Sequence, residues 1–141
     1  MIVALMAGCC LSVMAQSWLP FKERAAGRAD WKKHEAVALL DSTGVVVADN
    51  GSGSFTIRQV VQVKNKAGAL KYRVIKYDYD PLTAFAEFSR ATVYKADGSQ
   101  RTIDVAQACD YAAPARAIYW GARQIMLEIG ALDAGDIIDY E

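Results

Sequence analysis

The amino-acid sequence predicts an all-β domain, an antiparallel β-sandwich-like fold of some eight short strands. Three observations point there. From Phe55 to Lys64, Phe55, Ile57, Val61 and Val63 share one face while Thr56, Arg58, Gln62 and Lys64 fill most of the other. That period of two is what a half-buried strand requires. Turn-forming clusters recur about every ten residues, the spacing of a sandwich. Helical periodicity is nearly absent.

Taken in order, Ala36–Leu40 is an apolar run ended by the turn-like Asp41-Ser42-Thr43-Gly44. Val45–Val47 is a second short run before the dense cluster Ala48-Asp49-Asn50-Gly51-Ser52-Gly53. After the Phe55–Lys64 strand, Asn65-Lys66-Ala67-Gly68 predicts a turn. Leu70, Tyr72 and Val74 then alternate with Lys71 and Arg73, predicting a strand to about Tyr77. Asp78-Tyr79-Asp80-Pro81 closes it, since proline has no ladder donor and biases the residue before it. Phe85–Tyr94 runs into a hairpin over Thr92–Asp104, turning at Asp97-Gly98, a pair suited to positive φ. Val105–Arg116, Ala-rich with Pro114, predicts a loop or a short helical turn. Ile118–Ile129 is long and apolar, with Ile125, Leu127 and Ile129 on one face and Gln124 and Glu128 on the other. Gly130–Gly135 is a turn, and Ile137–Tyr140 begins a last strand. Because that run is unfinished at Glu141, the domain is expected to be incomplete at its C-terminus.

The 141 residues suit one domain. Lys plus Arg and Asp plus Glu are 16 each, so net charge supplies no footprint for nucleic acid or for an anionic membrane surface. Residues 1–15 carry no charge and end in Val13-Met14-Ala15. A leader of that length and ending predicts a signal peptide and an exported, periplasmic or envelope-associated protein. It is too short to span a bilayer, which needs about 20 residues, so no transmembrane segment is expected in the mature chain. Met6-Ala7-Gly8-Cys9 resembles a lipoprotein cleavage box, the alternative in which Cys9 is lipidated. Residues 16–34 form a basic arm carrying Trp18, Phe21 and Trp31, expected to dock through its tryptophans, and residues 35–141 form the β domain. Cleavage leaves Cys109 alone, so no internal disulfide can support the fold.

The search for chemistry leaves the catalytic, cofactor and metal sites empty. His34 is the sole histidine, and neither it nor Cys109 sits in a local nucleophile signature. Beside Lys32, Lys33 and Glu35, His34 reads as a solvated arm residue; Cys109, among Ala106, Ala108 and Ala112, reads as a small, partly buried hydrophobe. Zinc would need several Cys or His ligands at short spacing. For calcium, Asp78 and Asp80, or the Asp133, Asp136, Asp139 series, supply oxygens without the loop pattern of an EF-hand, and read as turn and surface carboxylates. Gly51-Ser52-Gly53 and Gly135-Asp136 lack the Lys of a phosphate cradle and read as hairpin glycines. Tyr77, Tyr79, Tyr111, Tyr119 and Trp120 offer a sugar platform, but aromatics at strand spacing more often form core.

Four ordered segments carry a resemblance: Ala36-Val37-Ala38-Leu39-Leu40-Asp41; Val61-x-Val63-Lys64-x-Lys66-x-Gly68; Tyr94-Lys95-Ala96-Asp97-Gly98-Ser99; and Leu132-x-x-Gly135-Asp136-Ile137-Ile138-x-Tyr140-Glu141. Together, over Ala36 to Glu141, they resemble the DUF3857 family, β-rich modules preceding transglutaminase-like domains in exported bacterial proteins, notably of Bacteroidetes. The family usually carries a proline near the Leu132 turn, absent here. The resemblance implies a non-catalytic accessory, scaffolding or binding domain beside a downstream domain of the same polypeptide. No catalytic residue transfers onto this chain, because the family's downstream Cys, His and Asp have no counterparts in it. An envelope protein or a peptide or glycan ligand is a further expected partner; no cofactor is expected. The alternative is a small secreted enzyme or carbohydrate- or peptide-binding module using surface carboxylates and aromatics.

Overall fold

The computed structural model describes Trp31, residues 33–114 and residues 121–141. The predicted leader, most of the arm and the segment holding Ile118, Tyr119 and Trp120 lie outside the described residues. The elements are β1 (Ala36–Val47), β2 (Gly53–Val63), a helix α1 (Lys66–Lys71), β3 (Val74–Tyr79), β4 (Ala91–Tyr94), β5 (Gln100–Thr102), a 3₁₀ turn (Val105–Gln107), β6 (Cys109–Ala112), β7 (Arg123–Glu128) and β8 (Ile137–Tyr140). They form a five-stranded sheet of order β1-β2-β8-β4-β5 and a three-stranded sheet of order β3-β7-β6. Every pairing is antiparallel, as the alternation predicted.

The two sheets share one core. Val63, Ala91, Val93 and Ile138 from the larger sheet pack with Ile75 and Leu127 from the smaller one, and Ile103, Ile129 and Leu132 close the ends. Strand alternation explains the choice, because Ile138 pairs with Val61 on one side and Val93 on the other, and directly paired residues point to the same face. The opposite face is also apolar: Leu39, Val60, Tyr94 and Ile137 form a second cluster against which Trp31 packs. The expected docking of the arm through tryptophan is therefore seen at Trp31. Among the described residues, no helix is long and apolar enough to cross a membrane.

Several expectations need correction. Asp41-Ser42-Thr43-Gly44 is no turn: β1 runs unbroken, with Gly44 paired to Thr56, because a continuous ladder to β2 outweighs the local turn preference of those residues. A register shift between Ala38 and Leu40 turns Leu39 into the outer cluster. The expected turn at Asn65 and the start of the strand expected from Leu70 are instead helix α1; the strand begins at Val74. Asn65 caps it, its Oδ1 accepting from the Gly68 backbone N at 3.0 Å. Ala69 and Tyr72, three apart, pack on the core while Leu70 faces solvent; a short apolar set fits either period. Gly68 is sterically required, since a Cβ there would lie 2.0 Å from the Glu35 carbonyl oxygen.

Cys109–Ala112 is a strand, missed because its residues are exposed and lack alternation. Phe85–Tyr94 contributes strand only from Ala91. Among the described residues no non-glycine has positive φ, so at Asp97-Gly98 only Gly98 supplies it, at +92°. The alternation of Ile125, Leu127 and Ile129 holds, and all three are buried.

Candidate functional site

Three polar clusters hold most of the chemistry-bearing side chains. The first sits where the β4–β5 hairpin meets the turn before β8. Asp136 is 1% exposed, although it read as a surface carboxylate. Its Oδ2 accepts from Lys95 Nζ at 2.6 Å and from the Asp133 backbone N at 2.8 Å. Lys95 also donates to Asp133 Oδ2 at 2.9 Å. Asp136 Oδ1 has no hydrogen-bond partner among the described residues. The bonds to Asp136 and then Asp133 hold the Lys95 ammonium pKa above its ordinary value. The backbone locks the same junction, with Val63 N donating to the Asp136 carbonyl and Gly135 N donating to that of Val63. Gly135, at φ +100°, is thus a turn glycine as expected.

The second cluster is centred on Asp139, which shares the outer face of β8 with Ile137. Its side chain is 4% exposed, a second correction to the surface reading, because two arginine side chains from flanking segments close over it. Arg58 binds it in a fork, Nε to Oδ1 at 3.0 Å and Nη2 to Oδ2 at 2.7 Å, which raises the arginine pKa further. Arg90 Nη1 reaches Oδ2 at 3.2 Å and its Nη2 reaches Glu141 Oε2 at 3.5 Å. Ser89 Oγ donates to Glu141 Oε1 at 3.0 Å. On the inner face, Tyr140 OH donates to Gln59 Oε1, and burial pushes the phenol up to about 12.

The third cluster lies at the open end of the three-stranded sheet. Tyr79 OH donates to Asp110 Oδ2 at 2.7 Å, Arg123 Nε to the same oxygen at 2.8 Å, and Arg123 Nη2 to the Asp110 carbonyl at 3.0 Å. The tyrosine hydrogen bond, and then Arg123, hold the Asp110 carboxyl below its usual range, while the same bond raises Tyr79. Neighbouring Cys109 is exposed, which corrects its reading as a partly buried hydrophobe: it sits on an edge strand, its Sγ donating to the Gln107 carbonyl at 3.6 Å. Its hydrogen bond with Tyr111 raises that phenol.

The residues singled out from sequence do not converge. Asp133 and Asp136 meet at Lys95, whereas Asp139 belongs to the two arginines. Asp78 accepts from Gln124 Nε2 at 2.5 Å, and Asp80 caps the following turn, its Oδ1 accepting from Leu82 N at 2.9 Å. Among the described residues, no three or more His, Cys, Asp or Glu side chains are placed to hold a metal. His34 precedes β1, its carbonyl accepting from Asn65 Nδ2 at 3.4 Å; Cys109 is on the other sheet, and no hydrogen bond joins the two among the described residues. Tyr77 and Tyr111 are exposed but point to opposite faces, since Tyr77 pairs with Ile125 and Tyr111 with Gln124. Sequence reasoning missed the Asp139 centre. Its signal was an aspartate inside an apolar β-run, which demands a buried cation.

Chemically the clusters are clamps. Each joins a carboxylate to a cation or hydroxyl of another segment, Lys95 to Asp133 and Asp136, Arg58 and Arg90 to Asp139, Arg123 and Tyr79 to Asp110. Residues 49–141 match the family described as a domain of unknown function with solved structure, DUF3857. The chain belongs to the DUF3857 family. The match begins at Asp49, so β1 and the Ala36–Asp41 segment lie before it, a narrower span than the resemblance from Ala36. This DUF3857 domain is also similar in fold to the crystal structure of a "putative protease" from Parabacteroides distasonis, with a TM-score of 0.64 and 14% identity. The similarity covers 75% of this chain and 22% of that one, so the chain spans about a fifth of that protein's length. No curated protein matches the chain.

Proposed function

We propose that this DUF3857 domain is a non-catalytic accessory module of a longer exported bacterial protein, packing beside or presenting substrate to a following transglutaminase-like domain. The observation that carries the reading is the nature of its polar clusters: each buried carboxylate is held by Lys or Arg on a neighbouring strand, and the clusters lock strands together. The fold-level likeness to a chain of which it covers only 22% supports a modular setting. The apolar, uncharged residues 1–15 support export to the periplasm or envelope, with either cleavage after Ala15 or lipidation at Cys9. Neutral net charge argues against nucleic acid as a partner.

The test has two arms. The purified 141-residue chain should give no turnover of peptide or ester substrates above buffer. Turnover abolished by Cys109→Ser or Asp110→Asn would overturn the accessory role and establish the alternative, a small enzyme. Reading the coding sequence past Glu141 should reveal an open frame with a Cys…His…Asp core. A frame without it removes the transglutaminase association and leaves the scaffold role standing.

A further inference from the structure

The flank of β2 that faces β8 is used over only part of its length. β8 pairs with β2 along Gln59–Gln62, and Val63 N donates to the Asp136 carbonyl at 2.9 Å. Gly53–Ile57 continue β2 and pair with β1 on one side. On the other side no strand pairs with them among the described residues. The ladder fixes which of their groups face that way. Val63 is directed at β8, and bonded and non-bonded pairs alternate along an antiparallel ladder, so Val61, Gln59, Ile57 and Phe55 direct N–H and C=O to the same side. The far end of the hairpin agrees. Ala48 N donates to the Ser52 carbonyl at 2.8 Å, which makes Ser54 and Thr56 the residues bonded to β1.

β8 is aimed along this flank. Glu141 N donates to the Arg90 carbonyl at 3.0 Å, and the Glu141 carbonyl accepts from Ser89 N at 2.9 Å, so pairing on its other side runs on past Tyr140. In the β2–β8 register Gln59 faces Tyr140; two residues back along β2 advance β8 by two, which sets position 142 opposite Ile57 and position 144 opposite Phe55. Directly paired residues share a face, and Tyr140 packs on the core, so positions 142 and 144 belong to the inner face. That face is apolar and exposed at this end, where Val45, Val47 and Phe55 are 53%, 69% and 67% exposed. A row of strand N–H and C=O groups so arrayed is satisfied by another extended segment.

We propose that this flank of β2 is the seat of the polypeptide that follows Glu141, with β8 continuing through positions 142 to 144 as a strand against Ile57 and Phe55. The inference rests on the reading of this chain as a module of a longer protein. Covalent continuity selects that occupant over a separate molecule, because a segment joined at Glu141 is already aligned with the ladder and loses no translational freedom on pairing. The two faces fix its chemistry: apolar or aromatic side chains at 142 and 144, and no proline at either, since each must offer an N–H to β2. The polypeptide then leaves beside the Asn50-Gly51 turn, at the opposite end of β2 from the Lys95 clamp, and the following domain lies at the end where the valines are exposed.

Two measurements test this. The coding sequence should run on past Glu141 with apolar or aromatic residues at 142 and 144. A frame that closes at Glu141 removes the longer protein and this seat together; a frame that continues with proline or a polar residue at either position keeps the longer protein and overturns the seat alone. In amide exchange, Phe55 and Ile57 should be at least about 10-fold slower in the full-length protein than in the 141-residue chain, as an outer pair of the ladder becomes an inner one. A smaller difference, whether both chains exchange fast or both slowly, overturns the inference. A full-length protein that shows the pattern and the protection without a Cys…His…Asp core removes the transglutaminase association and leaves the seat standing.

Discussion

The β1–β2 and β4–β5 hairpins close with the same turn. In Ala48-Asp49-Asn50-Gly51-Ser52 and in Lys95-Ala96-Asp97-Gly98-Ser99, the first residue's N–H donates to the fifth carbonyl and the glycine N–H to the first. The third side chain accepts from both the N and the Oγ of the serine, and glycine takes φ of +82° and +92°. Their surroundings are opposite. The β4–β5 hairpin is clamped by Lys95 to Asp133 and Asp136, and by Arg101 Nη2 to the Ile129 carbonyl at 2.9 Å; its Val93 is fully buried. Among the described residues the β1–β2 tip has no such clamp, and its Val45, Val46 and Val47 are exposed. Local turn chemistry thus decides where the chain reverses, while packing decides whether the hairpin carries the fold.

The largest expected effect comes from breaking the clamp. Lys95→Ala leaves Asp136 buried with only the Asp133 amide, and should cost about 3 kcal/mol of folding stability in denaturant titration. A loss below about 1 kcal/mol would mean that the buried carboxylate finds relief elsewhere. Next, Val93→Ala on β4 should cost about 2 kcal/mol, whereas Val46→Ala, exposed near the end of β1, should change the stability of this chain by less than about 0.5 kcal/mol. Equal costs would erase the distinction between the two hairpins.

The glycines sharpen the same contrast. A Cβ at Gly51 or Gly98 meets nothing within 4 Å, so replacement by alanine carries only the backbone penalty of positive φ, about 1 kcal/mol. At Gly98 this should appear in global stability. At Gly51 it should appear mainly as faster amide exchange at the Val45–Phe55 end of the β1–β2 ladder.

The smallest effect is in alkaline pH. Hydrogen bonds to Asp136 and Asp133 raise Lys95 above its ordinary value, and burial raises Tyr140 to about 12. A group whose folded pKa is raised stabilises fully below its unfolded value, and that contribution is lost as pH rises through the folded one. The melting temperature should therefore decline from about pH 10 toward 12, and Tyr140→Phe should flatten part of the decline. An unchanged slope in that variant would show that Tyr140 is not the titrating group.

Much of the fold was legible in strong period-two segments. Phe55–Val63 and the Ile125, Leu127 segment stand as strands, with Ile125, Leu127 and Ile129 buried as the alternation predicts; Phe55, placed on the buried face by the same alternation, is instead exposed. Helix α1 was not legible: Leu70, Tyr72 and Val74 alternate as a strand would, whereas the core takes Ala69 and Tyr72, three apart, and Gly68 packs against Glu35, thirty-three positions away. The clusters were less legible still. Asp136 and Asp139 stand three residues apart in one turn-and-strand segment, yet they meet different cations, Lys95 and the Arg58–Arg90 pair, because β8 lies in the middle of the larger sheet.

By itself the sequence determined the β class, the turns at Asn50-Gly51 and Asp97-Gly98, and the membership carried by ordered motifs from Val61 onward. These rest on backbone preferences and side-chain alternation, which act over a few neighbouring residues. Only the tertiary structure decided that Asp136 and Asp139 are buried, that Cys109 is exposed, and that of two turns with the same hydrogen bonds the one at Gly98 is clamped by Lys95 and Arg101. Each of those depends on which strand lies alongside, and strand order is set by burial of the whole apolar surface at once.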